Sequence, residues 1–257
     1  MTKEIASILA NIQNHTLFEK HKIYFMGGTA LSSYLDHRIS YDIDFIATAK
    51  LPVSAINAFA FSLGAQPVQD RAKASAFRIN KGEELAHYHL KYMLNGVKME
   101  FAYFDDAMID VVLADAMQVD YSEGSQLKKL SLDDIIKLKA IALCKRQKSR
   151  DLFDMAIVLE KGLLALEELE RIYAYNKVGE KSLQEYIKSF NPTKEDEGDS
   201  SLDFLPQHPH YKTFVKLSQD ERFYTCKEMF LTQHTQKQKE KLEGKQRAVR
   251  VGLKKRR

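Results

Sequence analysis

Two carboxylates two residues apart, Asp42 and Asp44, interrupt the apolar run Tyr41-Asp42-Ile43-Asp44-Phe45-Ile46. Side chains alternate along a strand, so both aspartates share one face while Ile43 and Phe45 take the other. Such a pair, backed by apolar residues, is a small oxygen-rich site suited to Mg²⁺ or Mn²⁺. These ions accept carboxylates and fill their remaining positions with water and substrate phosphates. Upstream, Gly27-Gly28-Thr29 ends the apolar run Ile23–Met26. A glycine pair lets the backbone take positive φ and approach whatever lies above the turn. The backbone N–H groups of such a turn, and of the helix it opens, favour phosphate. Asp-x-Asp alone is more simply a half-exposed strand with solvated acids. The Gly-Gly-Thr ahead of it tips the reading toward metal and phosphate.

The flanking elements follow from period and punctuation. Lys3 to Glu19 predicts one amphipathic helix; Thr29 is placed to cap a helix carrying Ala30, Leu31, Tyr34 and Leu35. Pro52 to Leu63 predicts another helix, stopped by Gly64, and Ser75 to Asn80 predicts a strand. His87–Leu94 and Val97–Phe104, joined by Asn95-Gly96, form a hairpin signal. Its returning strand places Glu100 on the same pleat as Lys98 and Ala102. His87 and His89 share a face of the first strand, but no further ligand stands at zinc spacing. Asp105 to Gly124 predicts a loop with a short apolar element.

From Ser131 the period turns helical. Ser131 and Asp134 resemble a capping box, and Ile135, Leu138 and Ile141 form the buried stripe. On one continuous helix, Lys148 and Asp151 both fall within about 40° of Lys137, a line able to hold a triphosphate. Two alternatives stay open: a charged surface with Arg150–Asp154 as an i, i+4 pair, or a new helix capped by Ser149. Helical segments follow at Leu152–Lys161, Ala165–Lys177 and Glu180–Phe190. A polar linker follows over Asn191–Ser201, then a last helix from about Asp220 to Lys241.

Gly27-Gly28-Thr29-Ala30-Leu31, followed by Arg38-x-Ser40-x-Asp42-Ile43-Asp44-Phe45, resembles the AbiEii/AbiGii toxin branch of the polymerase-β-like nucleotidyltransferases. A second block, Lys137-Leu138-x-Ala140, then Arg146-x-Lys148-x-Arg150-Asp151-x-x-Asp154, is similar to that family's later motif. The resemblance covers about residues 20 to 160. It implies an α/β or α+β nucleotidyltransferase domain with a small mixed sheet over residues 1–130. A helical bundle with a basic tail would occupy 131–257. It also implies Asp42, Asp44 and Glu100 as metal-binding and catalytic acids. Gly27, Gly28, Thr29, Arg38, Ser40, Lys137, Lys148, Asp151 and Asp154 would be the substrate-binding set. The implied activity is Mg²⁺- or Mn²⁺-dependent transfer from an NTP to an acceptor such as RNA or tRNA, by a toxin paired with an antitoxin. A small-molecule nucleotidyltransferase and a non-catalytic RNA- or protein-binding relative are the alternatives.

The whole chain is compatible with this. Its 257 residues suffice for one large or two ordinary domains, and no run of some 18 apolar residues predicts a membrane span. The N-terminal stripe Ile5, Ile8, Leu9 and Ile12 reads as an amphipathic helix rather than a secretion signal. Cys144 and Cys226 lack metal spacing, which predicts reduced thiols in a cytoplasmic protein. Charge is unevenly spread. Ten Lys/Arg against Glu240 and Glu243 give Lys237–Arg257 a net +8, leaving −4 for the rest of a +4 chain. A basic tail on an acidic body suits a polyanion, and equally suits a solvated helix end.

Overall fold

A computed structural model of the chain describes residues 1–176, 179–192 and 202–254, with side chains described as far as Gln246. Most of the predicted linker (193–201), the end of the helix predicted to Lys177, and the tail side chains from 247 onward lie outside the described residues. The chain divides into two compact units: Met1–Leu138 with Asp203–Leu205, and Lys139–Leu202 with Pro206–Arg257.

The first unit is built on a mixed seven-stranded sheet ordered β3-β4-β5-β2-β1-β7-β6. In chain order the strands are β1 (Ile23–Met26), β2 (Asp42–Ala47), β3 (Gln66–Pro67), β4 (His89–Leu94), β5 (Val97–Ala102), β6 (Gln118–Asp120) and β7 (Lys128–Leu130). The β2–β5 and β1–β7 pairs are parallel and the others antiparallel. Asn95 and Gly96 both take positive φ, the conformation of the tight turn that their sequence signals.

Alternation sorts the sheet into two faces. Ile43, Phe45, Met99, Phe101 and Tyr92 are buried on one face, where Phe18 and Phe59 pack against Phe45 and Phe101. The helices on this unit are α1 (Lys3–Ile12), α2 (Leu17–Lys20), α3 (Gly27–Leu35), α4 (Val53–Ser62), α5 (Arg71–Lys81) and α6 (Ala107–Ala114). Asp42, Asp44, Lys98, Glu100, His89 and Lys91 occupy the opposite face by register.

Several predicted elements are corrected. Ser75–Asn80 lies inside helix α5, because Asp70 caps the Lys73 N–H at 2.9 Å and Gly82 closes the other end at φ +69°. The alanines and basic residues between these stops are helix formers, and their brief alternation loses to the caps. The N-terminal helix is two, α1 and α2, separated near His15. Residues 105–124 hold α6 and strand β6, and His87 sits in a 3₁₀ turn, Leu85–His87, off the β4 face.

The helix after Ser131 is α7 (Leu132–Lys145), and α8 (Ser149–Glu160) is a separate one. Lys148 is extended, at φ −119° and ψ 135°. The continuous helix expected to line up Lys137, Lys148 and Asp151 is therefore absent. The break has a physical reason. Lys139 reaches both Asp151 at 3.1 Å and Asp154 at 2.8 Å. On one straight helix the first of these would lie about 18 Å along the axis.

In the second unit α8 is buried from Asp151 through Leu159, as expected of a helix apolar on nearly every side. The long α12 (Gln219–Lys254) packs against it, with α9 (Leu166–Asn176), α10 (Leu183–Lys188) and the short α11 (Tyr211–Phe214) completing the bundle. Ser182 and Glu185 form a full capping box on α10, and Lys241 pairs with Glu167 and Glu170 of α9 at 3.3 Å each. Cys144 and Cys226 are buried free thiols; burial pushes Cys144 up to about 12, so it stays protonated. Among the described residues no helix is long and apolar enough to cross a membrane.

Candidate active site

The site is assembled where β1 runs into α3 beside β2. Met26 pairs antiparallel with Asp44, and the next residue, Gly27, turns at φ +83° to begin the helix. A Cβ on Gly27 would stand 2.1 Å from Asp44 Oδ2 and 2.7 Å from Asp44 Cβ. Rotating the carboxylate would not relieve the second contact, so the position demands glycine on both conformational and steric grounds. A Cβ on Gly28 would meet Arg38 Nη2 at 2.7 Å and Ser40 Oγ at 3.0 Å. Arg38 and Ser40 are buried, and they close the back of the turn.

Thr29 does not cap the helix as expected. It lies inside α3, and its hydroxyl donates to the Asp42 carbonyl, tying the helix's first turn to β2. No side chain caps the N-terminus of α3, whose preceding residue Met26 is extended. The first N–H groups of this helix thus open beside Asp44, a favourable position for negative charge. We expect Gly27→Ala to cost about 1–2 kcal/mol of stability through the left-handed backbone alone. It should also weaken divalent-ion binding by displacing Asp44. Thermal melting and Mn²⁺ titration check the two effects separately.

Asp44 and Glu100 are register partners across β2 and β5, as are Asp42 and Lys98. Lys98 Nζ bridges Asp42 Oδ2 at 2.9 Å and Glu100 Oε1 at 3.0 Å. Glu100 Oε2 contacts His89 Nε2 at 2.8 Å, and Lys91 stands 3.5 Å from Oε1. Burial opposes ionisation of Glu100, but the His89 hydrogen bond and the Lys98 and Lys91 charges outweigh it. The carboxyl is held well below the usual range. Burial likewise opposes charge on Lys98, and the Asp42 and Glu100 contacts overcome it to raise its pKa.

The donor set that would hold a divalent ion is Asp42 and Asp44, two carboxylates on one face, with the Asp44 side chain lying against the Cβ-less Gly27. Among the described residues no three His, Cys, Asp or Glu side chains are grouped closely enough to hold a metal on their own.

The structure brings Gly27, Gly28, Thr29, Arg38, Ser40, Asp42, Asp44 and Glu100 together in the first unit. Lys137 also belongs to that unit, with its ammonium 2.7 Å from Asp133 one turn earlier. Lys148, Asp151 and Asp154 belong to the second. Asp151 and Asp154 are fully buried, and Asp151 takes Arg146 Nε at 2.6 Å as well as Lys139. These two acids hold α7 to α8.

Two features escaped the sequence reading. Lys98 was visible as a pleat neighbour of Glu100 and His89 only as a residue of the facing strand, and their convergence on Glu100 depends on hairpin register and rotamer. Asp203–Leu205 joins the first unit: the Asp203 carbonyl accepts the Ile39 N–H at 2.8 Å, and its carboxylate accepts from the Tyr41 hydroxyl at 3.2 Å. The apolar Leu202, Phe204 and Leu205 after a polar stretch were the available signal.

No curated protein matches this chain. Among solved structures, JHP933 from Helicobacter pylori shares 15% identity at a TM-score of 0.47, covering 97% of this chain and 99% of its own. MenT4, a nucleotidyltransferase toxin from Mycobacterium tuberculosis, shares 12% identity at a TM-score of 0.46, covering 89% and 82%. The family model described as nucleotidyl transferase AbiEii toxin, type IV toxin–antitoxin system, matches residues 8–223. With its two signature blocks lying inside that match, the chain belongs to the AbiEii nucleotidyltransferase toxin family.

Proposed function

We propose that this nucleotidyltransferase moves a nucleotidyl group from an NTP to an RNA acceptor, tRNA being the favoured kind, in a divalent-ion-dependent reaction. The observation that carries the reading is the Asp42–Asp44 pair set against the Gly27 turn. An acceptor hydroxyl oxygen forms a bond to the α-phosphorus as its proton passes to solvent, the bond from that phosphorus to the oxygen bridging to the β-phosphate breaks, and pyrophosphate leaves. Mg²⁺ or Mn²⁺ at Asp42 and Asp44 would supply charge stabilisation at the α-phosphate and lower the pKa of the attacking hydroxyl.

The chain's own residues do the rest. Gly27 and Gly28 let Asp44, Arg38 and Ser40 pack against the start of α3, whose first N–H groups would face the triphosphate, and the Thr29 bond to the Asp42 carbonyl keeps that helix in register with the carboxylates. Buried Arg38 behind Gly28, and Lys137, add positive charge for the triphosphate. The ten Lys/Arg in the sequence from Lys237 to Arg257 would supply positive charge for a polyanionic acceptor. The family's description as the toxin of a type IV toxin–antitoxin system supports an antitoxin as the regulatory partner, and the proposed place of action is the cytoplasm.

The test is incubation with each α-labelled NTP, Mg²⁺ and total cellular RNA, beside a panel of small hydroxylated acceptors. Label is expected in RNA, from one NTP above the others, and lost with a chelator. Label confined to low-mass products would make this a small-molecule nucleotidyltransferase. No label in any fraction would overturn the catalytic reading.

A further inference from the structure

The carboxylate that ought to complete a three-acid site already has basic partners on both oxygens. Oε2 of Glu100 meets His89 at 2.8 Å, while Oε1 meets Lys98 at 3.0 Å with Lys91 at 3.5 Å. Of its roughly four lone-pair positions about one is left for a cation, and on an oxygen already held by His89. Lys98 in turn reaches across from β5 to β2 and touches Asp42 Oδ2 at 2.9 Å. Its ammonium therefore stands between Asp42 and Glu100, where a second divalent ion would have to bind to be shared by these two acids.

The geometry points to Lys98 as a positioning residue that carries a built-in positive charge in place of a second ion, with Glu100 as its counterion rather than a metal ligand. The inference rests on the reading that Asp42 and Asp44 hold a divalent ion, and it limits that site to two protein carboxylates. The hairpin explains why the arrangement is stable. Register sets Lys91 directly opposite Glu100 and His89 one pair further along the same face, so three basic side chains converge on one acid. The Lys91 and Lys98 ammonium groups and the His89 contact hold Glu100 in place, and a fixed Glu100 fixes Lys98 against Asp42.

The roles make opposite predictions for metal affinity in the NTP-free protein. Removing a ligand weakens binding, whereas removing a competing ammonium strengthens it. Mn²⁺ binding is measured by electron paramagnetic resonance in wild type and in Asp44→Asn, Glu100→Gln, Lys98→Met and Lys98→Arg. Asp44→Asn should weaken Mn²⁺ at least about tenfold, and Glu100→Gln less than about threefold. Lys98→Met should tighten it, by about tenfold given a unit charge removed in direct contact with Asp42. Lys98→Arg should restore the wild-type value because the charge returns.

Melting curves give a second readout. Lys98→Met should melt lower than wild type without metal, and added Mn²⁺ should raise its Tm more than it raises the wild type's. Equal weakening in Glu100→Gln and Asp44→Asn would make Glu100 a ligand and overturn the inference. Unchanged or weaker Mn²⁺ binding in Lys98→Met would overturn it too. If Asp44→Asn leaves Mn²⁺ binding intact, the underlying two-aspartate site is what fails.

Discussion

Asp44→Asn is expected to lower nucleotidyl transfer by at least about 10³-fold, or ~4 kcal/mol of transition-state stabilisation, with the fold retained. Asparagine has the shape of aspartate, so the tight fit against Gly27, where a Cβ would come within 2.1 Å of Asp44 Oδ2, is undisturbed. What disappears is a formal negative charge at the point where a divalent ion and a triphosphate must meet. The stability change should be small, less than about 1 kcal/mol, because the residue is half-buried on the open face of the sheet. Activity at saturating NTP is compared with the melting temperature. Loss of both together would make Asp44 a structural acid. Wild-type activity at low Mg²⁺ would remove it from the site altogether.

How much of this was legible beforehand depends on the range of the interaction concerned. Gly27-Gly28 and Asp42-x-Asp44 report local chemistry, positive φ in one case and strand alternation in the other, and both read directly. The Asn95-Gly96 turn did likewise, whereas the register that sets Lys91 opposite Glu100 emerged only in the structure. Thr29 shows the first limit. Its type suits a cap, but its hydroxyl finds the Asp42 carbonyl thirteen residues on, a partner set by the packing of α3 on β2.

Helix α5 shows a second limit, since the alternation within Ser75–Asn80 is too brief to outweigh caps at Asp70 and Gly82. The break at Arg146–Lys148 is the clearest case. Helical phase aligned Lys137, Lys148 and Asp151 only while the helix ran on. The observed turn is stabilised by Lys139 meeting two acids of the next helix, a long-range pairing that no period reports. Lys98 was seen as a pleat neighbour of Glu100; its bridge to Asp42 needed the parallel pairing of β2 with β5.

That buried cluster supports the second large effect: Asp151→Asn should destabilise the protein by about 3–5 kcal/mol, lowering Tm by the order of 10 °C. Asp151 is fully buried and accepts from Arg146 Nε at 2.6 Å, from Arg146 Nη2 at 3.1 Å and from Lys139 Nζ at 3.1 Å. Removing its charge leaves the nearly buried Lys139 with Asp154 and takes the Asp151 charge away from Arg146. Burial by itself would favour the protonated acid. The Arg146 and Lys139 charges outweigh burial and hold the carboxyl below its ordinary range. A depressed folded pKa contributes stability above the unfolded value, near pH 4, and loses it as pH falls toward the folded value. The gap between wild type and Asp151→Asn should thus be constant from about pH 5 to 8 and shrink below about pH 4. Denaturant melts across that range measure it. A variant that keeps its stability but loses NTP binding would return Asp151 to the substrate; one that loses neither would show that α7 and α8 hold together without it.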